Sequence, residues 1–258
     1  MKNCWKSCEK YLQNSILEKV TEVRGAAMKI QILQMIEGAR KARGLTVVID
    51  VFRAFSLECY LMAKHPSRLC PVGAEQTARD LKMRYPEAVL IGERHGVILP
   101  GFEYGNSPSQ TEAAELEGKM LIHTTSAGTQ GIVNASGATE ILTGSLVNAA
   151  AIARYIKASD TEEVSLVAMG WEGKEEAPED VLCARYIKSL LEGTSMDIEK
   201  ELSMLRETPS GAKFFKPETQ DVFPEGDYWM CTDVDRFDFV LKVSQLEKDI
   251  FEVKRIDI

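Results

Sequence analysis

Short apolar runs take turns with helix-patterned stretches from residue 28 to about residue 206, and this alternation constrains the fold more than any other feature. The strand-like runs are 29–33, 45–50, 69–72, 89–92, 119–124, 139–142 and 164–169. The helix-like stretches are 53–64, 74–84, 111–117, 128–136, 145–158, 178–192 and 197–206. Strands alternating with helices imply an α/β fold, with a central, largely parallel sheet covered on both faces. Runs such as LTVVI and VSLVAM are continuously apolar, as strands buried on both faces are.

The two ends read differently from this middle. Residues 1–27 are polar, with weak helical spacing at Leu12, Ile16, Leu17 and Val20, and are expected to be an appendage. The core is expected to begin at Met28 and run to 258. Beyond residue 208 come PSGAKFF, a Pro/Glu-rich turn region and two strand-like runs, FDFVLKV and DIFEVKRI. They suggest an edge of the sheet or a small antiparallel annex over 208–258.

Composition excludes several classes of function. With 31 basic against 39 acidic residues the net charge is -8, which argues against a nucleic-acid partner. No apolar run approaches the roughly 20 residues that cross a membrane, and the start lacks the apolar core of a secretion signal. The six cysteines, at 4, 8, 59, 70, 183 and 231, show no CxxC spacing. A zinc site or disulfide framework is therefore not expected, and the compartment reads as cytoplasmic.

Ligands of open α/β sheets bind at the carboxyl ends of strands, so the polar residues there carry the functional signal. TVVI ends at Asp50, with Arg53 shortly after. A carboxylate there can hold a hard cation and an arginine can grip phosphate oxygens, although a helix-capping aspartate explains Asp50 equally well. VLIG ends at Glu93 and Arg94, a charged turn if taken alone. Asn106 and Ser107 precede Pro108 as a helix start would, and they also present amide and hydroxyl donors. KMLIHT runs into Thr124, Thr125, Ser126, Ala127, Gly128 and Thr129, a hydroxyl-rich turn that can cradle an anion or cap the next helix. VSLVAMG leads to Glu179 and Asp180, acids that suit a helix start and could equally bind metal. His65, His95 and His123 form no spaced ligand set, and oxygen-only ligands point to Mg²⁺ or Mn²⁺ rather than zinc.

VVIDVFRAFS, GERHG with GFEYGNSP, TTSAGT, GSLVNAAAIA and APEDVLCARYI occur in this order. Together they resemble the 2-phosphosulfolactate phosphatase family over roughly residues 28–245. Two departures are visible: TTSAGT stands where the family usually has TTNGT, and Arg185 where a small residue is expected. The resemblance implies a three-layer α/β/α fold with a mixed sheet. It also implies Mg²⁺-dependent hydrolysis of 2-phospho-3-sulfolactate to 3-sulfolactate and phosphate, a step towards coenzyme M in methanogens.

On that resemblance Asp50, Glu93, Glu179 and Asp180 are the expected Mg²⁺ ligands, and Asp50, Arg53 and Arg94 the catalytic groups. Asn106, Ser107, Thr124, Thr125, Ser126, Gly128, Thr129 and Asn148 are the expected substrate-binding residues. The nucleophile is a metal-bound water or Asp50 itself. The expected partner is a small phosphorylated, sulfonated metabolite, and a homo-oligomer is left open. Two other readings stand beside this one: a broad-specificity phosphatase of the same fold, and a protein that binds a phosphorylated metabolite without turnover.

Overall fold

The computed structural model describes residues 28–258, so the expected appendage, with Cys4 and Cys8, lies outside the described residues. Ten strands are present: β1 Lys29–Gln34, β2 Gly44–Ile49, β3 Arg68–Pro71, β4 Val89–Arg94, β5 Val97–Ile98, β6 Met120–Thr124, β7 Ala138–Gly144, β8 Glu163–Ala168, β9 Phe239–Glu247 and β10 Ile250–Asp257. The helices are α1 Met35–Lys41, α2 Ala54–Met62, α3 Glu75–Arg84, α4 Gly128–Asn134, α5 Ala149–Ala158, α6 Pro178–Glu192, α7 Ile198–Arg206, α8 Pro209–Ala212 and α9 Glu225–Cys231.

All ten strands join one mixed sheet in the order β1-β8-β2-β7-β9-β10-β3-β6-β4-β5. Five of its nine pairings are parallel, in two blocks, β1-β8-β2-β7 and β3-β6-β4. The antiparallel β9–β10 hairpin joins the blocks, which consequently run in opposite directions. Within β2 the residues alternate between two cores: Val48 packs on one face, and Leu45, Val47 and Ile49 on the other. That double burial is why the strand is apolar throughout. Helices α5 and α6 cover the outer face of the first block, and α3 that of the second. Helices α1, α2 and α4 fill the inner face, completing the three layers.

Helix α2 organises the inner layer. Seven of its nine residues are buried, among them Phe55, Leu57 and Leu61 at 0% exposure. Each such side chain contributes about 1.5–3 kcal/mol by leaving water. Glu58 on the same helix is fully buried and bonds His123 of β6 at 2.9 Å and Thr143 of β7 at 3.3 Å. Those strands have three others between them, about 19 Å along a flat sheet at roughly 4.8 Å per strand. One glutamate cannot bridge that span, so the sheet coils around α2. The usual twist, about 20–25° per strand, supplies the curvature. As a result the carboxyl ends of β2, β4 and β6 meet although their blocks run oppositely.

Three local expectations differ from what forms. The hairpin of the 208–258 tail lies at the centre of the sheet, pairing β7 on one side and β3 on the other, rather than in an edge annex. Residues 111–117 are turns and not a helix: the buried Asp227 carboxylate draws in the Ser109 N–H at 3.0 Å and its hydroxyl at 2.6 Å, so the chain folds locally around it. Helix α1 follows β1 directly, with Ala39 buried in the inner core. Among the described residues no helix is long and apolar enough to cross a membrane.

A central hairpin is indispensable in a way that an edge annex is not. Ending the chain after Asp238 removes β9 and β10 and leaves β7 and β3 each with one edge open, at the seam between the blocks. The truncated protein is expected to lose its cooperative thermal transition, as followed by circular dichroism. A retained sharp melt would show that the two blocks fold without their link.

Candidate active site

The carboxyl ends of β2, β4, β6 and β8 open onto one cleft. Its lining includes Asp50, Arg53, Glu93, Asn106, Ser126, Glu179 and Asp180, all expected from the sequence. Phe52, His95, Trp171, Glu172 and Phe223 also line it and were not foreseen.

Asp50 ends β2 beside the first turn of α2, where its Oδ1 accepts the Ala54 N–H at 3.2 Å. The capping role is therefore real, and it is not the whole role. Burial pushes the Asp50 carboxyl up to about 7, with repulsion from Glu93 and Glu179 adding to it, against the Ala54 and Gly128 amides. Gly128 must be glycine here: a Cβ would stand 2.9 Å from Asp50 Oδ2 and equally close to the Phe55 ring. Glu179, one residue inside α6, accepts the Ser210 hydroxyl at 2.7 Å, and burial raises its carboxyl too.

The other two carboxylates are engaged by the backbone. Asp180 accepts the Val51 N–H at 2.7 Å on one oxygen and the Gly170 N–H at 2.8 Å on the other, clasping the ends of β2 and β8. Glu93 accepts the Gly96 N–H at 2.6 Å, the Ser126 N–H at 2.8 Å and the Ser126 hydroxyl at 3.3 Å. The 124–129 turn is thus an anion cradle whose anion is Glu93. Thr125 and Thr129 cap one another through reciprocal backbone-to-hydroxyl bonds at 3.2 and 3.1 Å and lie in the interior, outside the cleft lining. Thr124 receives Arg94 Nη2 at 3.2 Å, and Arg94 Nη1 donates to the Glu93 carbonyl, so this guanidinium is turned from the cleft.

Two further expectations are corrected. Asn148 is fully buried outside the cleft lining; its Oδ1 accepts the Ser145 N–H at 3.1 Å and shapes the turn into α5. Ser107 donates to Asp227 at 2.8 Å and is likewise not part of the lining. Asn106 does reach the cleft. Its side chain bonds His123 Nε2 at 3.0 Å, and His123 in turn bonds Glu58, so the amide is held in one orientation. Arg53 is buried and lines the cleft, with three donors committed: to Asp227 and the Val222 carbonyl, each at 2.7 Å, and to the Gly96 carbonyl at 3.2 Å. A guanidinium carries five, so two remain for a ligand.

Lys213, outside the lining itself, places a second positive charge beside it. Its Nζ lies 4.6 Å from the Phe223 ring centre and 4.7 Å from that of Trp171, both walls of the cleft. Burial lowers its pKa, with Glu179 opposing. Over the mouth, His95 Nδ1 bonds Glu172 Oε1, which holds the Glu172 carboxyl below the usual range. No described thiol lines this site: Cys59, Cys70, Cys183 and Cys231 are buried, and burial pushes each of them up.

All five sequence blocks that form this cleft and its supports fall inside residues 30–245, which match the family model for 2-phosphosulpholactate phosphatase. The chain belongs to the 2-phosphosulfolactate phosphatase family. A probable 2-phosphosulfolactate phosphatase of Bacillus subtilis (strain 168) is 30% identical over 234 residues, covering 90% of this chain and 100% of that one. One from Caldanaerobacter subterraneus is 31% identical over 217 residues, 77% of this chain and 87% of the relative. One from Carboxydothermus hydrogenoformans is 35% identical over 165 residues, 64% and 68% of the two chains.

Asp227 and Lys213 had no usable sequence signal. A Thr208-Pro209 helix start is legible, and Thr208 does cap α8, but nothing local says that this segment lies over the carboxyl ends of the strands. Asp50 yields a prediction of its own. Its carboxyl is raised to about 7, so between about pH 4 and pH 7 the folded state holds a proton that the unfolded chain has released. Stability from this group is therefore full at low pH and is lost as pH rises through that window. In metal-free buffer at pH 8, Asp50→Asn is expected to melt above the wild type, and the gap to narrow at pH 5. A gap that widens towards pH 5 would mean that Asp50 is stabilised as the anion.

Proposed function

We propose that this chain is a phosphatase that hydrolyses 2-phospho-3-sulfolactate to 3-sulfolactate and inorganic phosphate, assisted by Mg²⁺. The observation that carries the reading is the convergence of Asp50 and Glu179 with Arg53 and Asn106 in one cleft. The names of the relatives agree with it.

The donor set fits Mg²⁺ in part. Among the described residues no group of three or more His, Cys, Asp or Glu is arranged to hold a metal by itself. Mg²⁺ characteristically uses one or two carboxylates and completes its shell with water and substrate phosphate. Asp50 and Glu179 are the two that would hold it. Glu93 and Asp180, whose oxygens already accept backbone N–H groups, support the cleft instead. A bound divalent cation would neutralise the cluster and polarise a phosphoryl oxygen.

The chain's own residues supply the remainder. Hydrolysis adds a water oxygen to phosphorus, breaks the P–O ester bond and returns a proton to the departing alkoxide. Arg53, with two free N–H donors, offsets charge on the equatorial phosphoryl oxygens. Asn106, locked by His123, donates its amide N–H groups from a fixed direction. Two roles are open to the Asp50 Oδ2: to take the proton of the attacking water, or to attack phosphorus directly.

The decisive assay is phosphate release from a panel of phosphorylated hydroxy acids, with and without Mg²⁺. Turnover of 2-phospho-3-sulfolactate that vanishes with EDTA and returns with Mg²⁺ is the expected result. Full activity after metal stripping would remove the Mg²⁺ role. Equal rates across the panel would mark a broad-specificity phosphatase, and binding without release a sensor. Asp50→Asn keeps an oxygen for the Ala54 N–H but loses the charge. It is expected to reduce kcat by about a hundredfold or more while the fold persists. Near-normal turnover would leave Asp50 with capping alone.

A further inference from the structure

The cleft is lined by four buried carboxylates, Asp50, Glu93, Glu179 and Asp180, and two cations stand with them: Arg53 in the lining, and Lys213 against the Trp171 and Phe223 walls. One of these cations, Arg53, is matched by Asp227 at 2.7 Å, a pair at 4% and 0% exposure that is close to neutral as a unit. Lys213 is different. Among the described residues it makes no ion pair. Three aromatic rings frame its ammonium instead, Phe223 at 4.6 Å, Trp171 at 4.7 Å and Phe214 at 5.4 Å. Ring faces attract a cation and fix its position, while Glu179 offsets its charge through space without closing an ion pair. The arrangement keeps a positioned ammonium beside the carboxylates with its hydrogen-bond donors not taken by an ion pair.

The place of Lys213 beside the cleft matters as much as its charge. It lies on the Glu179 side: Ser210, three residues earlier, bonds Glu179 at 2.7 Å. The Ser126 turn lies on the Glu93 side, with Asp50 between the two. A phosphoryl group brought to Asp50 and Arg53 therefore leaves Lys213 free for a second anion of the same molecule. Apolar rings around one ammonium suit a singly charged, weakly hydrated anion, which gives up its water at low cost. A phosphate dianion needs several donors or a metal.

We propose that Lys213, held in the Trp171–Phe214–Phe223 frame, binds the sulfonate of the substrate and sets the enzyme's preference for a sulfonated ester. The inference rests on the phosphosulfolactate reading above and adds the residue that recognises the second anion. The segment that carries it, α8 with the turn Lys213–Phe215, thereby becomes part of the specificity machinery rather than a peripheral tail.

The test compares 2-phospho-3-sulfolactate with 2-phospholactate, the same ester without the sulfonate, on the full chain with Mg²⁺. In Lys213→Met the ratio of kcat/KM for the two esters is expected to fall about thirtyfold or more, chiefly through KM on the sulfonated ester. Lys213→Arg keeps the charge and is expected to retain most of the ratio. An unchanged ratio, with both esters weakened together, overturns the proposal and moves Lys213 to the phosphoryl group or to the fold. Calorimetric binding of 3-sulfolactate to wild type and Lys213→Met reads the same contact without turnover. Loss of binding in the variant supports the proposal even if the wild type fails to hydrolyse the phosphorylated ester, an outcome that would sink the substrate reading alone. Equal binding by the two proteins, or none by the wild type, overturns the proposal.

Discussion

Helix α2 has almost no face turned to water, and the rest of the molecule is arranged to make that tolerable. Its apolar residues are enclosed by both blocks of the sheet, and its polar residues find partners inside. Glu58 meets His123 and Thr143, and Ser56 meets the Val51 carbonyl at 2.8 Å and the Ser145 hydroxyl. A buried carboxylate left without such partners would cost several kcal/mol, so the positions of β6 and β7 relative to α2 are tightly determined. Enclosing the helix forces the sheet to coil, and coiling brings the carboxyl ends of opposed strand blocks to its N-terminus. The cleft is a geometric consequence of burying one helix.

Burial then separates the acids of that cleft by task. Asp180 and Glu93 are saturated by backbone N–H groups and hold the strand ends and turns in place. Asp50, Glu179 and Asp180 all bear the cost of desolvation, which raises each carboxyl; of these, Asp50 and Glu179 do not tie two strand ends together. This is the expected pattern for a functional site: groups whose charged form is disfavoured at rest are the ones able to exchange a proton or welcome a cation. The same carboxylate cluster would repel an anion, and Arg53 and Lys213, both against the Phe223 ring, are the cations that offset it.

The segment from 208 to 231 contributes more to the cleft than its sequence suggests. Asp227 binds Arg53, Ser107 and Ser109 at once, so one residue of α9 fixes a catalytic candidate and the loop after β5. Phe223 closes against the turn at Gly96, whose φ of 80° and lack of a side chain allow the ring to approach: a Cβ there would lie 2.6 Å from it. Phe214 stacks on Phe52 with centroids 4.8 Å apart. The aromatic residues form a lid anchored in the core and also frame Lys213.

Period and continuity of apolar residues, read locally, were enough for the α/β class, for most strands and for the strand ends at which a ligand would sit. Asp50, Arg53, Glu93, Asn106, Ser126, Glu179 and Asp180 were legible because strand-end position is a property of chain order. Side-chain direction is not. Asn148 and Arg94 occupy suitable places in the sequence and lie outside the cleft lining, and Ser126 of the Thr124–Thr129 turn grips the Glu93 carboxylate. The hairpin of 239–257 reads as an edge because its pattern describes only how each strand faces its sheet, while its place at the centre depends on pairing with residues roughly a hundred or more positions away. Lys213 and Asp227 entered the site by the same kind of long-range closure. The sequence determined which segments are strands and helices and where their polar ends lie. Only the coiled sheet around α2 decided which of those ends meet, because that proximity arises from three-dimensional packing and leaves no mark on local periodicity.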